Sequence, residues 1–189
     1  AGRLVEAAGL KGLRVGGAVH GNAGAFGTET KDVLEEVWLF DPAVADVRSV
    51  EPAELRFRYR YSALKDRPDV IVVQASFRGT SSDRATVVAK IKEMANQRMQ
   101  KQPLRLPNCG SVFKNPPGDH AGRLVEAAGL KGLRVGGAVV SDKHGNFIVN
   151  DAGATAADVR ALIEEVRRRV FDTFGVQLDP EVEFVGEWS

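Results

Sequence analysis

One cysteine, Cys109, in 189 residues excludes an internal disulfide framework and any site built on several thiolates, and suits a reducing compartment. The three histidines, His20, His120 and His144, show no i,i+4 spacing, so no metal site is expected. An excess of one charge is missing as well. With 26 Lys and Arg against 25 Asp and Glu, the formal net charge of +1 supplies no field to hold a nucleic-acid backbone or an anionic membrane. No apolar run approaches the roughly 20 residues that span a bilayer. The opening AGRLVEAAG lacks the basic start, apolar middle and cleavage site of a secretory signal. A cytoplasmic protein is the expectation. What remains, 43% hydrophobic and 27% charged residues, is the composition of one or two globular domains able to bury a core.

What is present is dominated by a duplication: residues 1–19, AGRLVEAAGLKGLRVGGAV, recur unchanged as residues 121–139. Solenoid arrays consist of several diverged copies at a short period, and a single perfect pair with unlike sequence between is not one. It marks a recent genetic rearrangement or an artefact of assembly, so one copy is foreign to its place.

In each copy GRLVEAAG reads as a short helix closed by a glycine, Gly9 or Gly129. After the first copy, His20 to Gly27 has glycine at every third position and reads as a loop too flexible for a regular element, suited to close backbone approach to a ligand. Val33 to Phe40 reads as a strand ended by Asp41-Pro42, with Val47 to Val50 as its hairpin partner. Asp69 to Phe77 carries the continuous apolar run of a central strand buried on both faces. Ser82 to Met99 has the apolar spacing of an amphipathic surface helix, and the proline-bearing Gln102 to Pro107 reads as an interdomain linker. Phe147 to Val149 is a short strand. A long helix follows, opened by Thr155 and Asp158 and stopped by Gly175, with a stripe from Val159 to Phe174; Glu181 to Val185 reads as a last strand. Helices and strands without a βαβ rhythm give an α+β fold.

Four clusters could carry chemistry. Gly21 to Gly27 could receive a phosphate or cofactor on bare backbone amides, but its G-x-x-G-x-x-G is neither a dinucleotide fingerprint nor a P-loop, and a structural loop is the equal alternative. Phe57-Arg58-Tyr59-Arg60-Tyr61-Ser62, on a strand, puts Arg58 and Arg60 on one face. An edge strand with a solvated basic face is the favoured reading, and an arginine gripping a carboxylate or phosphate the alternative. Asn108 to Pro117 places Ser111, Lys114 and Asn115 close together but lacks the G-x-S-x-G elbow, and Cys109 reads as a small buried hydrophobe. Glu181 and Glu183 share one face of the last strand by period-two spacing.

Taken in order, these segments resemble the UDP-N-acetylenolpyruvoylglucosamine reductase family, also called UDP-N-acetylmuramate dehydrogenase. The resemblance rests on Gly16-Gly17-Ala18-Val19, Asn22 to Gly27, Phe57-x-Tyr59-Arg60-x-Ser62, Gln102-Pro103 and Gly110 to Pro116. It continues through Ala128 to Gly132, Gly136-Gly137-Ala138, Val140 to Asn150 and Leu178-x-Pro180-Glu181-Val182, ending at Gly186. It implies FAD and NADPH as cofactors and a UDP-sugar as substrate. NADPH reduces FAD, which passes hydride to the enolpyruvyl double bond to give UDP-N-acetylmuramate for peptidoglycan. Ser111 is implied as the proton donor, with Arg60 and Glu181 stabilising the enol-like intermediate. Tyr59, Lys114, Asn115 and His144 are implied as substrate contacts, and Gly17, Asn22, Ala23, Gly24, Ala25 and Gly27 as flavin contacts. Too few residues separate Tyr59-Arg60 from Gln102-Pro103 for the tyrosine-bearing loop of one subclass.

The resemblance also implies a further N-terminal FAD-binding domain, whose glycine-rich loop has no counterpart here. The expectation is therefore the last two domains of a three-domain flavoenzyme: a duplicated segment (1–19), a partial FAD-binding domain (20–100) and a substrate-binding domain with a C-terminal strand (101–189). Residues 1–14 are expected to displace native sequence and to weaken or abolish flavin binding, unless a separate chain supplies the missing domain. The alternative function is a non-catalytic UDP-sugar-binding fragment. A nucleic-acid module has support only from Arg58, Arg60 and Arg167 to Arg169, which read more simply as solvated charge.

Overall fold

The computed structural model describes residues 13–186, which fall into two compact units parting between Val87 and Val88. Both combine helices with antiparallel sheets, an α+β architecture. No helix among the described residues is long and apolar enough to cross a membrane. The helix expected over residues 2–9 lies outside the described residues.

The described part of the first unit opens with helix α1 (Leu13–His20), followed by a hairpin of β1 (Gly24–Ala25) and β2 (Thr28–Glu29) and a single helical turn, α2 (Thr30–Val33). A three-stranded sheet then forms from β3 (Leu34–Asp41), β4 (Asp46–Val50) and β5 (Ile71–Phe77), in the order β4-β3-β5. The β3–β4 hairpin matches the reading of the sequence, with Val37 opposite Val50 and Phe40 opposite Val47. Val37, Leu39 and Val50 turn inward onto Val19, Leu55 and Leu64.

Three expectations for this unit are corrected. The apolar run at 69–77 is not a central strand: β5 lies at an edge, and Ile71 and Val73 are more than half exposed. Strand β3 holds the centre despite Glu35 and Glu36, because two partners are available to it; an apolar run by itself does not say which strand is flanked twice. Residues 57–62 are not an edge strand either, but a tight turn. The glycine-spaced segment is not too flexible to be regular: Phe26 and Gly27 both have positive φ, +53° and +79°, the pair of conformations that closes a two-residue hairpin.

The second unit begins in helix α3 (Arg84–Lys101), which buries none of its residues. It continues with α4 (Ala121–Ala127), a sheet of β6 (Arg134–Val135), β7 (Ala138–Val140) and β8 (Ile148–Asn150), and α5 (Ala156–Phe174). Helix α5 forms as read. Thr155 Oγ1 accepts the Asp158 amide at 3.1 Å, Asp158 returns the bond to the Thr155 amide at 2.9 Å, and Gly175 ends the helix at φ +68°. Its Leu162, Ile163, Val166 and Val170 are fully buried. At about 1.5–3 kcal/mol for each large side chain, this stripe outweighs propensity in fixing the helix.

The expected linker at 102–107 belongs to this unit. Pro103 is buried, Pro107 O accepts the Asn150 amide at 2.9 Å, and Asn108 pairs antiparallel with Val149. The division of the chain instead falls inside α3. The expected terminal strand is not formed: pairing stops at Pro180 and Glu181, and Val185 is exposed. Cys109 is exposed rather than buried.

The duplicated sequence takes two structures. Leu13–Val19 lies in helix α1, whereas the identical Leu133–Val139 forms the β6–β7 hairpin, with Gly136 at φ +52° and Val135 opposite Ala138. Surroundings decide. In the first copy Val19 is drawn into the core of unit one, and Ser62 Oγ donates to the His20 carbonyl at 2.8 Å, satisfying the helix end. In the second, Gly137 is pressed against the 152–154 backbone, where a Cβ would lie 2.4 Å from Ala154 N.

Candidate functional site

In the second unit the site is built on the extended segment 111–115. Gly110, at φ +86°, turns the chain, and its amide donates to Asn108 Oδ1 at 3.0 Å. Ser111 follows, half-buried. Val112 is held from both sides: its amide donates to Asn146 O at 3.0 Å, and its carbonyl accepts the Glu181 amide at 2.7 Å. Phe113 pairs with the Asn146 side chain, donating to Oδ1 and accepting from Nδ2, both at 2.8 Å. Lys114 donates to Asp179 O at 2.9 Å through its amide and meets Asp179 Oδ2 at 2.6 Å through Nζ. Asn115 Oδ1 accepts the Ala121 amide at 3.0 Å, supplying one of the partners that the start of α4 needs. Ser111, Lys114, Asn115 and Glu181 are thereby brought onto two adjoining backbones. Glu181 Oε2 is shielded from solvent.

His144 joins the same frame. Its Nδ1 accepts the Asn146 amide at 3.1 Å, which assigns the proton of the neutral ring to Nε2. Burial, with Lys131 nearby, holds its pKa below the ordinary value, and its ring lies 4.9 Å from that of Phe147. A Cβ on Gly122 would come within 3.0 Å of this imidazole, so the glycine is what admits the ring.

The first-unit residues form a separate assembly. Arg58 and Tyr61 exchange backbone bonds of 3.0 and 3.1 Å, placing Tyr59 and Arg60 at the tip of a tight turn with Arg60 at φ +56°. Each arginine lies against a neighbouring ring, Arg58 Cζ 3.9 Å from the Tyr61 centroid and Arg60 Cζ 5.4 Å from that of Tyr59. Asn22 is fully buried and ties this turn to the hairpin: its Nδ2 donates to Arg58 O (3.0 Å) and Glu29 Oε2 (2.8 Å), while Oδ1 accepts the Lys31 amide (3.1 Å). The carbonyl of Ala23 accepts both Thr30 donors at 2.9 Å.

These bonds test the expected flavin contacts. The Asn22 side chain and the Ala23 carbonyl act within the fold, as a brace. Gly24, Ala25 and Gly27 lie exposed on the hairpin, and nothing stands within 4 Å of where a Cβ on Gly27 or Gly17 would be. The open backbone at Gly24, Ala25 and Gly27 would admit a flavin, and Asn22 braces the hairpin that carries it. A separate cleft of about 720 Å³, bordered by Leu104, Arg105, Val139 and Lys143, includes none of the expected substrate contacts. No group of three or more metal-ligating residues occurs among the described residues.

Reading the sequence singled out no role for Asn146. The signal available was a lone amide beside the apolar Phe147-Ile148-Val149.

The second unit is similar to the C-terminal domain of a reductase family. Residues 102–185 match the family described as UDP-N-acetylenolpyruvoylglucosamine reductase, C-terminal domain. The chain is 48% identical to the UDP-N-acetylenolpyruvoylglucosamine reductase of Rubrobacter xylanophilus, over 97% of this chain and 61% of that protein. It is 45% identical to that of Caldicellulosiruptor saccharolyticus, over 96% and 61%. The crystal structure of the UDP-N-acetylenolpyruvylglucosamine reductase of Thermus caldophilus superposes with a TM-score of 0.75 at 40% identity, covering 92% of this chain and 62% of that one. The chain is similar to UDP-N-acetylenolpyruvoylglucosamine reductases over nearly its whole length, carries their C-terminal domain at residues 102–185, and spans about three fifths of the length of these relatives.

Proposed function

We propose that the chain takes part in the flavin-dependent reduction by NADPH of UDP-N-acetylglucosamine enolpyruvate to UDP-N-acetylmuramate, in peptidoglycan precursor synthesis. The observation that carries this reading is the hydrogen bond from the Glu181 amide to Val112, which sets a carboxyl group beside the segment bearing the Ser111 hydroxyl. Such a pair suits the addition of hydrogen across an alkene conjugated to a carboxylate. FAD, when bound, supplies the hydride it has received from NADPH.

The remaining work falls to side chains of this chain. Ser111 delivers a proton to the carbon next to the substrate carboxylate as the other alkene carbon gains hydride. An alcohol is a weak acid, so its alkoxide is reprotonated from solvent to complete the cycle. Arg60 offsets the negative charge that builds on the carboxylate, and Glu181 as the carboxylic acid donates a hydrogen bond to it. Lys114 and His144 Nε2–H are donors for the diphosphate and sugar, with Asn115 and Tyr59 as further contacts. The exposed backbone of Gly24, Ala25 and Gly27 would support the flavin.

The visible spectrum tests the reading. Purified protein supplied with FAD is expected to show flavin absorbance that NADPH bleaches and the enolpyruvyl substrate restores. A protein that stays colourless in excess FAD overturns the reductase reading, and if it still binds the UDP-sugar, a substrate-binding fragment takes its place.

A further inference from the structure

Asn146 is 4% exposed and lies beside the apolar strand β8, a place where an amide is retained only if its hydrogen bonds are made. They are made, and all to the site segments. Through its carboxamide it forms both halves of a strand-like pair with Phe113; through its carbonyl it receives the Val112 amide; through its own amide it donates to His144 Nδ1. One residue therefore stands between the segment that presents Ser111 and the imidazole of His144.

We infer that Asn146 is a positioning residue: its carboxamide holds Phe113, and so the Ser111 hydroxyl two residues earlier, in one placement relative to Glu181 and His144. The part played by Ser111 rests on the proposed function; the positioning does not. An aliphatic side chain of similar volume fills the space but leaves the Phe113 amide and carbonyl without these partners. Segment 111–113 then keeps the two backbone hydrogen bonds of Val112, one on each side, and the buried side chains of Val112 and Phe113. The backbone bond to His144 survives any side-chain change at 146 except proline, so the effect is directed at Ser111. This separates the inference from a general role in packing, which would loosen the core around α5 as well.

Two variants and two readouts decide it. In the 15N-labelled chain, Asn146→Ala is expected to accelerate amide exchange at Phe113 at least tenfold and raise the mobility of Ser111, with Val166 in α5 unchanged within threefold. Asn146→Asp, which keeps the acceptor for the Phe113 amide, is expected to fall between. In flavin-loaded protein, Asn146→Ala is expected to lower kcat for substrate reduction about tenfold or more with KM within threefold, and to add no further loss in a Ser111→Ala background. Unchanged Ser111 mobility in both variants, or loss of protection spread equally over α5 in both, overturns the inference. If the unsubstituted chain reduces no substrate, the proposed function fails, and exchange and mobility still decide the positioning.

Discussion

The backbone amide of Glu181 donates to the carbonyl of Val112 at 2.7 Å, so a glutamate near the end of the chain and Ser111 are carried by two backbones bonded to each other. Because this link uses main-chain atoms, both side chains are removable without breaking it. Ser111→Ala and Glu181→Gln are expected to leave the melting temperature and the reduction of flavin by NADPH nearly unchanged. Each should slow substrate reduction by about 10²–10⁴-fold, the range for loss of a proton donor or a charge stabiliser. Stopped-flow measurement of the two half-reactions separates them. Equal slowing of both would remove these residues from the proton-transfer and stabilising roles.

The two copies of Leu-Arg-Val-Gly-Gly-Ala-Val allow one substitution to be tried in two structures. Gly17 lies in a helix, with nothing within 4 Å of a Cβ, so Gly17→Ala is expected to stabilise the first unit by about 0.5–1 kcal/mol through helix propensity. At Gly137 a Cβ would meet Ala154 N at 2.4 Å and Ala152 O at 2.7 Å, backbone atoms that yield only if the hairpin shifts. Gly137→Ala is expected to destabilise the second unit by about 1–3 kcal/mol. Urea melts of both variants check the opposite signs.

This pair also shows how much the sequence makes legible. Helix α5 could be read in full because its capping residues, apolar stripe and stop are local and agree with one another. The β3–β4 hairpin was legible for the same reason. What was not legible depends on remote neighbours: Val19 enters a helix because a core receives it, and the same valine at 139 pairs with Val149 on a sheet. The tight turn at Arg58 to Tyr61 was misread because alternating aromatic and basic residues imitate a strand, and nothing local announces the positive φ at Arg60. At the site, the motifs marked Ser111 and Glu181 but not Asn146, whose side-chain partner Phe113 lies 33 positions away in the chain.

Arg60 holds a left-handed backbone, φ +56°, which disfavours any residue with a Cβ. Replacement by alanine keeps that penalty and replacement by glycine relieves it, while both remove the guanidinium. Arg60→Gly is expected to be more stable than Arg60→Ala by about 0.5–1 kcal/mol, after allowance for the greater freedom of unfolded glycine. Both should show the same loss in substrate reduction. Equal melting points for the two would mean that the turn relaxes once the arginine is gone.

His144 gives the second unit a pH dependence of predictable sign. Burial and the nearby Lys131 hold its pKa in the folded protein below its ordinary 6.5. The unfolded chain therefore binds the proton more readily, and stability rises with pH where the two states differ in protonation. The contribution is fully present above 6.5 and is lost as pH falls through the lower, folded value. Asp119, hydrogen-bonded to Arg123, and Glu165, hydrogen-bonded to Arg168 and Arg169, are held at about 2 and stay ionised throughout that window. Urea melts from pH 5 to 8 should show stability climbing toward a plateau near neutrality. In His144→Gln the climb with pH should flatten, because the glutamine does not titrate, and an offset from the parent should remain above pH 6.5, because it does not reproduce the packing against Phe147. Parallel curves for the two proteins across the whole range would assign the slope to another group.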